Sequence, residues 1–399
     1  MTEQQLSSAA EKFKAIILGQ LQRIEAMKQG MQWTDFSTLN PIVIGVCGGD
    51  GIGPVIGAQA QRILEVALKE AVASGRIQFK VIDGLTIENR VKVNKAIPDD
   101  VLAELKSCHV ILKGPTTTPQ KGDPWPNIES ANVAMRRELD LFGNVRPVRV
   151  AKEGIDWTFF RENTEGEYVL GSKGFDITED LSVDFKVTTE QGSERIIRLA
   201  FEFAKQNGKK RVTVITKSNV VKTTDGRFSA VAKRIAAEYP GISCDEWYID
   251  IMTAKLLDPE RRNQFEVMVT PNLYGDIITD EAAQIQGGVG TAGSANIGCR
   301  WSMFEAIHGS APRMVVEGRA QYADPSSMIK ASAMLARHIG FPVEAERIEK
   351  ALEICVQLER KLVVTGRSDG ATADEFSEYV MTWLCNPELN SVYDRLCNA

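Results

Sequence analysis

The sequence predicts an α/β fold, and three features carry that expectation. Short apolar runs alternate with amphipathic segments of helical period from residue 41 onward. A glycine-rich turn, Gly48-Gly49-Asp50-Gly51-Ile52-Gly53-Pro54, follows the first of those runs. No uninterrupted apolar run reaches the length of about 18 residues that a spanning helix needs.

In chain order, Phe13, Ile16, Ile17, Leu21, Ile24 and Met27 follow helical spacing and predict a packed or partner-facing amphipathic helix within residues 1–35. Lys, Arg and Glu interrupt every candidate apolar core there, so the segment does not read as a signal peptide, and Glu3 and Glu11 count against a mitochondrial transit peptide. Residues 41–46 read as a strand running into the glycine turn. The next helix presents Ile56, Ala60, Ile63, Leu64, Ala67 and Leu68 on its inner stripe. A strand at 77–82, a helix at 99–106 and a buried-type strand at 109–112 follow. The middle section differs. Strands are expected at 157–161, 182–189 and 211–216, with a long helix over 193–206 and hairpin turns at Gly166, Gly171 and Gly174. From about Ala282 the chain returns to helices, at 326–339, 345–359 and 374–384. The glycine turn lacks both the GxGxxG order of a Rossmann loop and the GK[ST] of a P-loop, so a tight strand-to-helix turn accounts for it.

With 399 residues, 43% apolar and 25% charged, the chain suits a soluble enzyme of two domains, or of one large domain with an insertion. Its net charge of −6 argues against a nucleic-acid or membrane-surface binder. Seven scattered cysteines without a CxxC pair fit reduced thiols in a cytoplasm. Three histidines are too few for a histidine-rich metal site.

The segment Asn272-Leu273-Tyr274-Gly275-Asp276-Ile277-Ile278-Thr279-Asp280 carries the chemistry. If helix begins near Asp276, Asp276 and Asp280 share one face, a turn apart. Two adjacent carboxylates call for a shared proton or a hard cation such as Mg²⁺ or Mn²⁺. A helix N-terminus whose dipole favours acids is the alternative. Arg136 in Ser130-Ala131-Asn132-Val133-Ala134-Met135-Arg136, Arg146 in Arg146-Pro147-Val148-Arg149, and Arg161 in Phe160-Arg161-Glu162-Asn163 suit bidentate carboxylate binding. Any one of them alone reads as a surface arginine. Together with the aspartates they suggest a pocket for a metal chelate of a polycarboxylate.

These motifs, in this order, resemble the β-decarboxylating dehydrogenases, the isocitrate and 3-isopropylmalate dehydrogenase family, from about Ile42 to Phe376. The resemblance implies that family's non-Rossmann α/β fold: a large cofactor-binding domain (1–141 plus 287–399), a small domain (142–286) and a clasp-like, dimer-forming insertion at about 166–210. It implies substrate carboxylates on Arg136, Arg146 and Arg161, and metal on Asp276 and Asp280 with Asp250 donated by a neighbouring subunit. Lys222 is expected to take or relay the hydroxyl proton, and Tyr168 to protonate the enol after CO₂ leaves. Similar isocitrate enzymes place small polar residues where Ser130 and Asn132 fall, and isopropylmalate enzymes place leucines there, so isocitrate is the expected substrate. The cofactor is expected against Lys113 and Thr118 on the nicotinamide side. On the adenosine side it meets the Glu305-Ala306-Ile307-His308-Gly309-Ser310-Ala311-Pro312 loop, including Glu305, His308, Gly309, Ser310 and Ala311, together with Arg313 and Asp324. Arg313 favours the 2′-phosphate of NADP over NAD, although residues 365–372 offer no evident tyrosine–arginine pair to assist it. The resemblance therefore implies a homodimeric, cytoplasmic enzyme using Mg²⁺ or Mn²⁺. The alternatives are an isopropylmalate, homoisocitrate or tartrate-type dehydrogenase, or a non-catalytic regulatory subunit of a hetero-oligomeric isocitrate dehydrogenase.

Overall fold

The computed structural model describes residues 3–28, 32–119, 122–170 and 174–398. The chain forms two compact units, residues 1–33 with 158–278 and residues 34–157 with 279–399. The seams between these units fall at 157/158 and 278/279, and residues 1–33 group with the smaller unit. Among the described residues the strands are β1 (Ile42–Cys47), β2 (Ile77–Val81), β3 (Val110–Lys113), β4 (Gly143–Val150), β5 (Ile155–Glu162), β6 (Phe175–Thr178), β7 (Leu181–Val183), β8 (Arg211–Thr216), β9 (Ser243–Tyr248), β10 (Val267–Thr270), β11 (Gly293–Ile297) and β12 (Ser302–Ala306).

In the larger unit the strand order is β2-β1-β3-β12-β11-β4. The first four strands are mutually parallel, while β11 runs antiparallel to both β12 and β4. Every residue of β3, β11 and β12 is buried, as expected of strands covered on both faces. The Gly53–Ala67 helix buries Ile56, Ala60, Ile63 and Leu64, four positions of its expected stripe. The Ser326–His338 helix lies so close to β11 that a Cβ on Gly293 would sit 2.8 Å from the Ala331 nitrogen. The helix expected over 345–359 is instead Pro342–Glu353 followed by a wide π turn, Ile354–Leu358.

In the smaller unit β5-β10-β8-β9 run parallel, with β10 entirely buried. The Glu190–Gln206 helix buries Ile196, Ile197, Ala200, Phe201 and Ala204. In the insertion, β6 and β7 form an antiparallel pair, and Gly166 bridges Val187. The strand expected at 182–189 ends at Val183, and Lys186 pairs with Asp225 at 2.6 Å. Gly171, an expected turn, lies outside the described residues. The N-terminal helix is Glu3–Met27. None of its residues is fully buried, and it rests on the insertion through Phe13 against Phe185 (ring centroids 5.6 Å apart) and Lys12 over Phe175 (5.1 Å).

Candidate active site

Parallel neighbours release their following loops at the same sheet edge, where α/β proteins bind ligands. In the larger unit β1, β3 and β12 deliver the glycine turn, the 114–118 loop and the 307–312 loop to one edge. These loops interlock. Asp50 N–H donates to Pro115 O at 2.8 Å and Ile52 N–H to Ser310 O at 3.0 Å. The Asp50 carboxylate accepts from the amides of Ile87 and Thr117, both at 2.7 Å, and the Thr117 and Ser310 hydroxyls meet at 2.7 Å. Gly49 and Gly51 have φ of +70° and +60°, and a Cβ on them would lie 2.3 Å from Pro115 O and 2.0 Å from Ser310 O. The turn is therefore more than a tight connection, because its glycines allow three loops to nest. Thr118 and Gly309 are exposed at this edge, Ser310 is buried, and His308 is partly exposed with Nδ1 against its neighbour's carbonyl. Ala311 holds φ +45°, a left-handed conformation uncommon for a residue with a Cβ.

Lys113 and Glu305, both expected at the cofactor, are turned inward. They are register partners across β3 and β12, and their side chains meet at 3.0 Å with 0% and 5% exposure. The expectation came from their place in loop motifs, but as cross-strand partners within the sheet they face each other. Asn296 Nδ2 also donates to Glu305 (2.8 Å), and Asn144 links Asn296 (2.9 Å) to Arg146 Nε (2.8 Å). Burial pushes the Glu305 carboxyl up, but Lys113 and Arg136 outweigh it and hold the group below its ordinary range. Asn144 and Asn296 were not singled out from sequence. The available signal was alternation along β4, which puts Asn144 and Arg146 on one face.

Arg146 is buried, donating to Thr279 Oγ1 at 2.6 Å and pairing with Asp280 at 3.2 Å. The helix near Ser130 is Ala131–Glu138, so Asn132 and Arg136 lie on one face. Asn132 accepts from Thr116 Oγ1 at 3.1 Å. Arg136 approaches Glu305 only to 3.8 Å, and its buried Nε has no hydrogen-bond partner among the described residues. Ser130 sits at the N-cap without a capping bond.

In the smaller unit Arg161, Tyr168 and Asp276 converge. Arg161 is 1% exposed, donates through Nε to Asn272 at 2.9 Å, pairs with Asp276, and lies 5.2 Å from the Tyr168 ring centre. Tyr168 OH donates to the other Asp276 oxygen at 2.7 Å. Gly275 permits this approach, since a Cβ there would lie 2.5 Å from Arg161 Cγ. The Asn272–Gln286 helix starts a full turn before Asp276. Neither aspartate is thus in the first turn, and the dipole account of them loses its force. Asp276 and Asp280 keep 40% and 59% of their side-chain surface exposed. Among the described residues no group of three or more His, Cys, Asp or Glu converges as a metal cage. Asp276 and Asp280 are carboxylates on one helix, a turn apart in sequence, with oxygen donors of the kind a hard cation takes.

Two expected members stand apart from that cluster. Lys222 is exposed in the turn before the Thr224–Ala236 helix and makes no hydrogen bond or ion pair among the described residues. Asp250, in the first turn of the Ile249–Leu257 helix, pairs with Lys217 at 2.6 Å, which holds its carboxyl below the usual range.

Arg313 is 86% exposed and pairs with Glu317 at 2.6 Å. It lines a cavity of about 610 Å³ together with Glu317, Arg319, Tyr322, Arg367 and Ser368. Tyr322 and Arg319 lie far in sequence from the 365–372 stretch that holds Arg367, so no local tyrosine–arginine pair marks this grouping. Asp324 accepts from the Ser326 amide at 2.9 Å at the start of the Ser326–His338 helix. All seven cysteines are free thiols.

The fold is of the mixed α/β class, with a large sheet dominated by parallel strands. The chain belongs to the isocitrate/isopropylmalate dehydrogenase family, which it matches over residues 43–379. It is 39% identical over 322 residues to the isocitrate dehydrogenase [NADP] of Rickettsia prowazekii, covering 79% of this chain and 63% of that protein. It is 36% identical over 312 residues to a probable isocitrate dehydrogenase [NAD] subunit alpha, mitochondrial, of Caenorhabditis elegans, covering 76% and 82%. The solved isocitrate dehydrogenase of Methylococcus capsulatus superposes with a TM-score of 0.75 at 33% identity, covering 86% of this chain and 99% of that one. The chain spans less than two thirds of the length of the Rickettsia relatives it matches.

Proposed function

We propose that this protein oxidatively decarboxylates isocitrate to 2-oxoglutarate and CO₂ with reduction of NADP or NAD. The observation that carries the reading is the Arg161–Asp276–Tyr168 cluster, which sets a carboxylate binder, a metal ligand and a proton donor in mutual contact. Arg136, Arg146 and Arg161 bind the substrate carboxylates, and the unpartnered Nε of Arg136 is a donor awaiting one. Asp276 and Asp280 would hold Mg²⁺ or Mn²⁺, which when bound acidifies the 2-hydroxyl and stabilises negative charge on its oxygen. Lys222 accepts the hydroxyl proton as hydride leaves the substrate carbon for the nicotinamide ring. CO₂ departs with its electron pair left on the enol, and Tyr168 protonates that carbon.

Ser130, uncommitted to capping, and Asn132 favour a polar substrate arm over an isopropyl group. An isopropyl arm would leave buried polar groups unpaired at about 1–3 kcal/mol each. Thr118, His308, Gly309, Ser310, Ala311 and Asp324 line the cofactor side, with Lys113 and Glu305 as buried support. The three arginines around the 313–322 cavity favour NADP, because guanidinium suits a 2′-phosphate. The reading includes a homodimer in which the neighbouring subunit donates Asp250, whose carboxylate pairs with Lys217 in its own chain. Seven free thiols fit a reducing cytoplasm.

Initial rates with isocitrate and Mg²⁺, comparing NADP with NAD and using 3-isopropylmalate as control, test the reading. Turnover confined to isocitrate is expected, faster with NADP. Turnover of 3-isopropylmalate alone would overturn the roles given to Ser130 and Asn132, and no turnover of any 2-hydroxy diacid would favour a regulatory subunit.

A further inference from the structure

The N-terminal helix lies outside residues 43–379, yet one of its side chains reaches the loop that joins Arg161 to Tyr168. Arg23 Nη1 pairs with Glu165 Oε1 at 2.9 Å, and its Nη2 donates to Thr164 Oγ1 at 3.2 Å. Glu165 is 3% exposed there and Arg23 is 22% exposed. The loop holds a second buried acid, Glu162, whose carboxylate accepts from the amides of Thr164 (2.9 Å) and Glu165 (2.6 Å). Burial and the neighbouring Glu165 push the Glu162 carboxyl up. Two buried carboxylates three residues apart need positive charge, and the Glu190–Gln206 helix contributes Arg195, which donates to Thr164 Oγ1 at 2.8 Å. Arg23 bonds the Glu165 carboxylate directly.

From Glu165 a hydrogen-bonded path leads to the chemistry. The Glu165 carbonyl accepts from Asn272 Nδ2 at 2.9 Å, Asn272 Oδ1 accepts from Arg161 Nε at 2.9 Å, and Arg161 pairs with Asp276, which holds Tyr168 OH. Glu165 is also fixed by the Thr189 amide at 2.8 Å, and Gly192 leaves the room it occupies, since a Cβ there would lie 2.3 Å from its carboxylate.

We infer that Arg23 is a positioning residue, locking the 162–168 loop and, through Glu165 and Asn272, the orientation of Arg161, Asp276 and Tyr168. The N-terminal helix is then a working part of the active unit. The catalytic half of this inference rests on the function proposed above, and the structural half does not.

Both halves are tested with Arg23→Met and the conservative Arg23→Lys. Amide exchange, which needs no activity, should rise roughly tenfold or more at 162–168 and 272–276 in Arg23→Met, as losing a charged hydrogen bond predicts. The strands β8 and β10 should keep their protection. With isocitrate, kcat should fall roughly tenfold while KM for the dinucleotide holds, and Arg23→Lys should recover most of both effects. Unchanged exchange at 162–168 would overturn the inference. So would exchange rising equally in β8 and β10, which marks a merely structural role, or raised loop exchange with undiminished kcat. If the wild-type protein turns over no 2-hydroxy diacid, the proposed function fails by itself, and exchange at 272–276 still decides whether Arg23 holds the cluster.

Discussion

The Lys113–Glu305 pair gives an asymmetric stability prediction. Removing one partner of a buried ion pair costs about 3–5 kcal/mol, because the other charge is stranded. The two ends are not stranded equally. Without Glu305, Lys113 keeps, among the described residues, the Gly114 carbonyl at 3.0 Å. Without Lys113, Glu305 keeps Asn296 at 2.8 Å and Arg136 at 3.8 Å. A retained hydrogen bond to a charged group is worth about 1.5–3 kcal/mol, so Glu305→Leu should destabilise by about 4–5 kcal/mol and Lys113→Met by about 2–3 kcal/mol. The double variant should cost less than the sum, with a coupling of about 2 kcal/mol. Urea unfolding followed by tryptophan fluorescence measures all four forms. The pH dependence adds a check of sign. Glu305 titrates below its ordinary value of 4.5, so its contribution is complete above that value and is lost as pH falls through the lowered one. Lys113→Met should flatten that acid limb. Lys113→Met costing as much as Glu305→Leu, or either costing under about 1 kcal/mol, would refute the reasoning.

Three further outcomes follow from the site and the core. Asp276→Asn should abolish most turnover and the rise in melting temperature that Mn²⁺ gives the wild type; a retained Mn²⁺ shift would remove Asp276 from the metal site. Ser130→Leu should raise KM for isocitrate roughly 5- to 150-fold, equivalent to about 1–3 kcal/mol, and leave the KM for dinucleotide unchanged. His338, between Phe36 (5.1 Å) and Phe304 (5.4 Å), is pushed down to about 4 by burial. The unfolded chain therefore binds a proton that the folded one refuses between about pH 6.5 and 4, and stability should fall on acidification by up to about 1.4 kcal/mol per pH unit. His338→Phe should remove that slope between pH 6.5 and 4, as urea midpoints across the range would show.

What the sequence made legible divides by the distance over which each cause acts. The inner stripe of the Gly53–Ala67 helix and the apolar run of β1 follow from local periodicity and appear as expected. Register does not. Lys113 and Glu305 each sit in a loop-like motif, and only the β3–β12 pairing reveals that they face each other. The start of the helix bearing Asp276 was misplaced by a turn, because Asn272 and Gly275 are poor helix formers. They are there for other reasons: Asn272 bonds Arg161, and Gly275 makes room for it. Arg313, Arg319, Tyr322 and Arg367 meet in one cavity although 54 positions separate the first from the last, a convergence that no local pattern encodes. Arg23 is a harder case still, since on its own helix it reads as one solvated cation among several.

The burial that hid these pairings from the sequence also bears on binding. In the larger unit Arg146 is clamped by Asn144, Thr279 and Asp280, with Asn144 tied in turn to Asn296 and Asn296 to Glu305. In the smaller unit Arg161 is clamped by Asn272 and Asp276 beneath Gly275. A free arginine loses up to about 2 kcal/mol of rotamer entropy when a ligand fixes it. Both of these guanidinium groups are fixed before any ligand arrives, so a carboxylate meeting either of them is spared much of that ordering term. The same clamps explain why neutral neighbours matter as much as the charges: replacing Asn144 or Asn272 by an apolar residue keeps every ionic group and releases the orientation that makes the arginines selective for a planar, two-oxygen partner.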